Sequence, residues 1–111
     1  MGFGDMQRMM RQMQKMQGEL VRIQEEVGNR TVEATSGGGA VTAVASGKGV
    51  LTELRIAAEA VDPTDPELLA DMVLTACNEA LRKGQEMMAR EMAKVAGAAG
   101  GMPGMPGLPR P

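Results

Sequence analysis

The feature that most constrains this chain is a heptad pattern near its N-terminus. Apolar side chains recur at alternating intervals of three and four residues, at Met6, Met9, Met13, Met16, Leu20, Ile23 and Val27. This spacing places them along one narrow side of an α-helix, and Gly28 followed by Asn29 is a typical stop signal. We therefore predict a helix over residues 6–27 that lays this row of side chains, the heptad seam, on another helix.

Glycine-rich connectors divide the next part of the chain into three short strands. The candidates are Thr31–Thr35, Ala40–Ala45 and Val50–Ile56, joined by SGGG and SGKG. Connectors of this length predict hairpin turns, so the strands are expected to form an antiparallel meander. The second strand consists largely of alanine and valine, which indicates that another element packs closely against it.

A second, longer helix is expected after the strands. Asp65 can cap its free amides, and Pro66 suits the first helical position. The apolar face that follows predicts a helix to about Ala96, ~45 Å long and longer than the sheet. Glycine and proline dominate beyond it. We therefore predict one domain over residues 1–96 and a disordered Gly/Pro/Met tail over 97–111.

These elements define an α+β fold: an N-terminal helix, a three-stranded antiparallel meander and a long C-terminal helix. Phe3 is the only aromatic residue, so a small domain has to build its core almost without rings. Such a domain gains stability by sharing the apolar faces of its helices with a second copy. We predict a homodimer whose dimer or helix seam includes Met6, Met9, Met13, Met16, Leu20, Ile23, Met88 and Met92.

The composition excludes much catalytic chemistry. The chain has no His, Trp or Tyr, so it lacks the usual proton shuttle, the commonest metal ligand and stacking platforms for unpaired bases. Cys77 has no histidine to activate it and falls on the apolar face of the long helix. Lys48 lies between two strands, whereas a phosphate-binding loop opens a helix. We expect no enzyme, no small-molecule substrate, no cofactor and no metal site.

The chain also lacks the signals of membrane insertion and export. No apolar run approaches the roughly 20 residues of a membrane helix. Asp5, Arg8 and Arg11 occupy the N-terminus, where a signal peptide has an apolar stretch. A single cysteine cannot form an internal disulfide, which favours a reducing cytoplasm. We therefore expect a cytoplasmic protein without a membrane partner.

Charge is distributed unevenly although the net charge is only −2. Residues 1–30 carry five basic and four acidic side chains, residues 31–71 two and seven, and residues 72–111 five and three. An acidic middle thus separates two mildly basic flanks. A polyanion could contact the flanks and avoid the centre.

The basic residues of the two helices allow two interpretations. Arg8, Lys15 and Arg22 share one heptad position and Arg11 adjoins them, which makes a basic stripe ~21 Å long. The long helix adds Arg82, Lys83, Arg90 and Lys94. These cations either contact phosphates of duplex DNA or form a solvated face, with Glu79 paired to Lys83 and Glu86 to Arg90.

The methionines are open to two interpretations as well. Flexible thioethers suit an adaptable groove for peptides, and they also fill seams between helices. The heptad spacing favours the seam. A Met-rich helical dimer that acts as a protein-interaction module therefore remains the alternative function.

Several segments in order carry a resemblance to a known family. They are the SGGGAV turn, the DPELLADMV helix start, the NEALRK segment at Asn78–Lys83 and the MPG repeats of the tail. Together with the heptad helix they cover nearly the whole chain, which resembles the YbaB/EbfC family of bacterial nucleoid-associated proteins. The resemblance implies an intertwined, tweezer-like homodimer that binds duplex DNA with little sequence preference and alters its conformation.

The resemblance also implies where DNA would bind. It places the contacts on projecting helices, and the basic positions there are Arg8, Arg11, Lys15, Arg22, Arg82, Lys83, Arg90 and Lys94. It implies a location in the nucleoid and an influence on gene expression. Alanine and methionine replace some polar helix positions and the net charge is negative, so we expect weak DNA affinity that salt strongly reduces.

Overall fold

The computed structural model describes residues 2–100 of the chain, and the side chains of residues 2–97. Its elements are helix α1 (Phe3–Gly28), strands β1 (Thr31–Ser36), β2 (Val41–Ser46) and β3 (Leu51–Ile56), and helix α2 (Pro66–Gly100). The strands form one antiparallel sheet in the order β1-β2-β3. The predicted α+β fold is confirmed, and each strand begins or ends within one residue of its predicted position.

Helix α2 begins where the sequence predicts and ends later. A side-chain oxygen of Asp65 accepts a hydrogen bond from the backbone N–H of Leu68 at 3.2 Å, as expected of a capping residue. The helix continues past the expected end at Ala96 to Gly100, through two further alanines that favour helix. The rest of the predicted tail, residues 101–111, lies outside the described residues.

Both connectors in the sheet depend on glycine. Gly37, Gly38 and Gly39 between β1 and β2 have φ angles of 61°, 67° and 96°, and Gly49 between β2 and β3 has 82°. Residues other than glycine rarely adopt this left-handed region of backbone conformation. The hairpin interpretation of the two glycine-rich segments is therefore confirmed.

The core lies between α2 and the first two strands and is built from small side chains. Its buried cluster is Ala34, Val41, Ala43, Ala45, Ala76 and Ala80. A Cβ at Gly84 would stand 2.6 Å from the carbonyl oxygen of Ser46, so α2 and β2 approach to backbone contact. Close packing against the middle strand is thus confirmed, and Cys77 packs half-buried at the margin of this core, as expected.

Against the other described residues, helix α1 packs only near its C-terminal end. Val27 is fully buried, whereas Leu20 and Ile23 are half-buried. Nearer the N-terminus the heptad seam is open to solvent, with exposed fractions of 63–65% at Met6, Met9 and Met13. Because the described chain extends over 76 Å in its longest direction, this part of α1 projects away from the sheet.

Candidate nucleic-acid interface

The cations of α1 fall into two groups by their partners. Arg8, Arg11 and Lys15 are exposed and form no ion pair or side-chain hydrogen bond with the described residues. We call these three residues the free stripe. Arg22, in contrast, donates to Glu19 and to Glu26, each at 2.8 Å. The N-terminal part of the predicted basic stripe therefore keeps its charge available, and Arg22 is shared with two carboxylates.

Arg82 and Lys83 of α2 make contacts that the sequence analysis did not anticipate. Arg82 pairs with Glu79 and, at 2.6 Å, with Glu86. Lys83 turns toward the sheet and donates to the backbone carbonyl of Glu33 at 3.0 Å. The expected pairs of Glu79 with Lys83 and of Glu86 with Arg90 are wrong, because the planar guanidinium of Arg82 reaches carboxylates on both sides along the helix.

The distal part of α2 lies beside α1 and carries further cations. Arg90 is exposed and forms no ion pair with the described residues, whereas Lys94 donates to Glu91 at 2.8 Å. Arg30, which follows α1, is 3.5 Å from Glu26 and 3.8 Å from Glu91. Arg30 thus links the two helices. Sequence reasoning missed it because this link depends on tertiary packing.

Hydrogen bonds from the paired cations hold the neighbouring carboxylates in their charged form. Arg22 lowers the pKa of Glu19, Arg82 lowers that of Glu79, and Lys94 lowers that of Glu91. In each case the side-chain hydrogen bond is the largest cause, and the charge of the cation contributes less. Paired cations are therefore partly neutralised at neutral pH. Among the cations of the two helices, those of the free stripe and Arg90 form no ion pair with the described residues.

Acidic residues collect at the opposite end of α2. Asp62 lies before the helix and accepts hydrogen bonds from the Oγ1 and backbone N–H of Thr64, at 2.7 and 2.9 Å, which lower its pKa. Asp65 caps the helix and Glu67 lies in its first turn. Arg90 follows 24 residues after Pro66, ~36 Å along the helix. The long helix thus separates an acidic end from a basic end.

Residues 2–100 contain neither a cluster of metal-ligating side chains nor a membrane-spanning helix. Within that range, His, Cys, Asp and Glu side chains do not come together in groups of three or more that could hold a metal ion. Neither helix, as far as it is described, has the length and apolar character needed to cross a membrane.

Comparison with known proteins gives concordant results. A model of the YbaB/EbfC DNA-binding family matches residues 1–99. A nucleoid-associated protein of Moorella thermoacetica is 55% identical over 97 residues, which are 87% of this chain and 93% of the relative. A nucleoid-associated protein of Pelotomaculum thermopropionicum is 53% identical over 94 residues, 85% of this chain and 90% of the relative.

A solved structure supports the fold. It is that of an uncharacterized protein, HP0035, from Helicobacter pylori, with a TM-score of 0.58 and 23% sequence identity. The similarity covers 70% of this chain and 90% of the other. At 23% sequence identity this comparison supports the fold and carries no information about function.

Proposed function

Because the chain belongs to the YbaB/EbfC DNA-binding family, we propose that it binds duplex DNA with little sequence preference and alters its conformation. The observation that carries the proposal is the free stripe. Its three cations lie exposed on one side of a projecting helix and form no ion pair or side-chain hydrogen bond with the described residues. Cations in such an arrangement can neutralise phosphates along a duplex.

The mechanism rests on phosphate contacts. Each Lys or Arg that neutralises a phosphate releases a condensed counterion, which favours binding at low salt and carries no sequence information. Arg8 and Lys15, the ends of the free stripe, are seven positions apart, ~10 Å along the helix, so the stripe reaches neighbouring phosphates. Arg90 and Lys94 extend the contact from the distal part of α2. Arg22, Arg82 and Lys83 are proposed as secondary contacts, because binding DNA has to compete with the partners they already have.

Orientation on the DNA follows from the separation of charge along α2. The acidic end near Asp62 and Glu67 is repelled by phosphates, whereas the projecting helices are attracted. The duplex therefore meets the molecule at the free stripe and the distal part of α2. This arrangement explains how a chain with a net charge of −2 can bind a polyanion.

A homodimer completes the proposal, and β3 supports it. All six residues of β3 are exposed, although the register places Leu54 and Ile56 on the same side of the sheet as the buried Ala43 and Val41. Helix α2 packs across β1 and β2 and scarcely reaches β3. An edge strand with an uncovered apolar side is a surface that a second copy can cover.

The flank of α2 that faces β3 is apolar too. One flank of the helix faces β1. There the hydroxyl of Ser36 donates to the backbone carbonyl of Met72, and the ammonium group of Lys83 donates to the β1 backbone. Leu74 and Leu81 lie two positions from these residues, about 200° round the helix, and so on the flank toward β3. Leu74 is 61% exposed. We propose that this flank and the inner side of β3 form the dimer interface of an intertwined, tweezer-like pair.

The proposal extends to location and cellular role. Relatives are named nucleoid-associated proteins, and we propose that this chain acts in the cytoplasm on the nucleoid, where bound dimers influence DNA organisation and gene expression. We also propose that the protein has no catalytic activity and acts without a cofactor, a small-molecule substrate or a membrane partner.

Anisotropy of end-labelled duplex DNA, measured at several salt concentrations, tests DNA binding. We expect the association constant to fall linearly with salt on a log-log plot. The double charge reversal Arg8→Glu/Arg11→Glu should abolish binding while the dimer persists, and Arg82→Glu/Lys83→Glu should weaken it less. Duplexes of unrelated sequence should bind alike. Large discrimination against single base changes, or no binding even at ~50 mM salt, would contradict the proposal.

The protein-interaction module remains a second candidate because the methionines of α1 are exposed. It predicts saturable binding of an apolar peptide that salt does not weaken. A peptide that binds in this way to a protein without affinity for duplex DNA would favour the second candidate.

A further inference from the structure

Four methionines near the N-terminal end of α1 are open to dissolved oxidants. We call Met6, Met9, Met10 and Met13 the methionine row, and their exposed fractions are 65, 63, 59 and 64%. Met87 of α2, in contrast, is buried, with 8% of its surface exposed. A thioether reacts with a peroxide where the oxidant can reach the sulfur atom. The fold therefore leaves one group of methionines accessible and protects another.

The methionine row belongs to the least supported part of the described chain. Residues 2–19 are all exposed, and residues 3–18 form no ion pair or side-chain hydrogen bond with the described residues. Gly18 follows the row in the helix interior, where glycine weakens a helix. A helical segment of this length without packing or ion pairs is only marginally stable in water.

Local interactions hold this segment in its helical form. Asp5 in the first turn complements the helix dipole. Each member of the methionine row has two other members three and four residues away, where side chains on a helix meet and apolar pairs stabilise it. Methionine is also among the better helix formers. The helix that carries the free stripe thus depends in part on unoxidised thioethers.

Oxidation by a peroxide alters these pairs without changing the charge of the chain. Hydrogen peroxide transfers one oxygen atom to the sulfur, its O–O bond breaks, and the remaining atoms leave as water. The sulfur gives up two electrons and becomes a sulfoxide. Because the sulfoxide is polar and hydrated, the apolar contact between neighbours on the helix is lost.

We propose that the methionine row is a site of reversible oxidation by peroxides, and that its oxidation unwinds the projecting half of α1 and weakens DNA binding. Arg8 and Arg11 lie between members of the row and Lys15 follows two residues after it, so the free stripe loses its helical spacing as a whole. A segment that has to refold before it binds has a lower apparent affinity. In its effect on DNA the inference rests on the proposed function.

Peptide mass spectrometry after graded treatment with hydrogen peroxide tests the site. The protein carries Cys77→Ser, which removes the thiol as a competing reactant. We expect the methionine row to gain oxygen before Met87 does, and methionine sulfoxide reductases to reverse the change. Equal rates at the row and at Met87, or a row that resists oxidation, would overturn the proposal.

Circular dichroism and anisotropy of labelled duplex DNA test the consequence. The oxidised protein should lose helical signal and bind DNA about tenfold more weakly, which corresponds to a helix populated in about one molecule in ten. Enzymatic reduction of the sulfoxides should restore both signals. Unchanged DNA affinity with the row fully oxidised would refute the proposal.

The matched control carries leucine throughout the row, as Met6→Leu/Met9→Leu/Met10→Leu/Met13→Leu. Leucine keeps the apolar pairs and the helix propensity and has no sulfur to oxidise. This variant should bind DNA like the untreated protein and keep its affinity after peroxide treatment. The other methionines of the chain remain in it, so a loss of affinity after treatment would trace the effect to them and overturn the proposal.

Helix content measured without DNA separates this inference from the proposed function. A loss of helical signal on oxidation in the parent protein and not in the leucine variant would support the oxidation site even if the untreated protein failed to bind DNA, which would contradict the proposed function alone. Normal DNA binding by the untreated protein, together with full helix content after oxidation of the row, would overturn the oxidation proposal alone.

Discussion

At the scale of single residues, Arg22 and Arg11 differ in the carboxylates that lie within reach along the same helix. Arg22 has glutamates three residues before and four residues after it, and it pairs with both. Arg11 has Gln7, Arg8, Gln14 and Lys15 at the corresponding distances, none of which is acidic. This difference was readable from the sequence, because neighbours three and four apart share one face of a helix.

The first residue-scale prediction compares these two arginines. Arg11→Gln should weaken DNA binding and reduce the magnitude of the log-log salt slope by about 0.9 for each protomer that contacts the duplex, the loss of one phosphate contact per protomer. Arg22→Gln should change the slope less, because Arg22 is already engaged by two carboxylates. Anisotropy across a salt series measures both slopes. Identical losses in the two variants would show that the ion pairs of Arg22 open freely on DNA.

The second residue-scale prediction concerns the pH dependence of stability at Glu79. The hydrogen bond from Arg82 lowers the pKa of Glu79 below its ordinary value of 4.5. A carboxyl group with a depressed pKa contributes stability above its unfolded pKa, and this stability is lost as the pH falls through the folded value. Arg82→Gln should therefore raise the pKa of Glu79 in an NMR titration and reduce the loss of stability below pH 4.5. Arg11→Gln, the control, should leave the Glu79 pKa where it is.

At the scale of elements, glycines decide how closely the pieces meet. Gly84 allows α2 to approach the Ser46 carbonyl, whereas Gly18 of α1 has open space at the position of a Cβ. Both lie in helix interiors, where glycine costs about 1 kcal/mol relative to alanine. Helix propensity treats these two positions alike, and only packing distinguishes them.

The element-scale prediction is that Gly→Ala has opposite effects at these positions. Gly18→Ala should raise the free energy of unfolding by about 0.5–1 kcal/mol, since the helix gains propensity without a clash. Gly84→Ala should lower it by about 1–3 kcal/mol, because the new methyl group meets a backbone carbonyl that cannot rotate away. Urea denaturation at a fixed protein concentration measures both. Stabilisation by Gly84→Ala would show that α2 shifts easily on the sheet.

At the scale of the whole molecule, an alanine-rich core and an uncovered edge strand both indicate a second copy. Val27 and Val41 are the largest side chains among the fully buried ones in the described part of the chain. Leu54 and Ile56, on the core side of β3, keep 46 and 38% of their surface exposed. Burying that side against another protomer would enlarge the core that one chain provides.

The molecular-scale prediction places a charge at this surface. Leu54→Glu should dissociate the dimer in light scattering coupled to size-exclusion chromatography, and DNA affinity should fall because two sets of projecting helices no longer act together. Thr35→Glu is the control, an exposed position on β1 at the other edge of the sheet. A Leu54→Glu protein that remains dimeric would exclude β3 as the interface.

The sequence by itself determined the elements and their order. Heptad spacing specified α1, glycine at positive φ specified both hairpins, and Asp65 with Pro66 specified the start of α2, because each signal acts within a few residues. Tertiary structure alone decided that Lys83 turns to the β1 backbone and that Arg30 links the helices. It also decided that the other described residues leave β3 and the N-terminal methionines of α1 exposed. These outcomes depend on which faces meet across long sequence separations, and local spacing does not encode where a helix stops covering its neighbour.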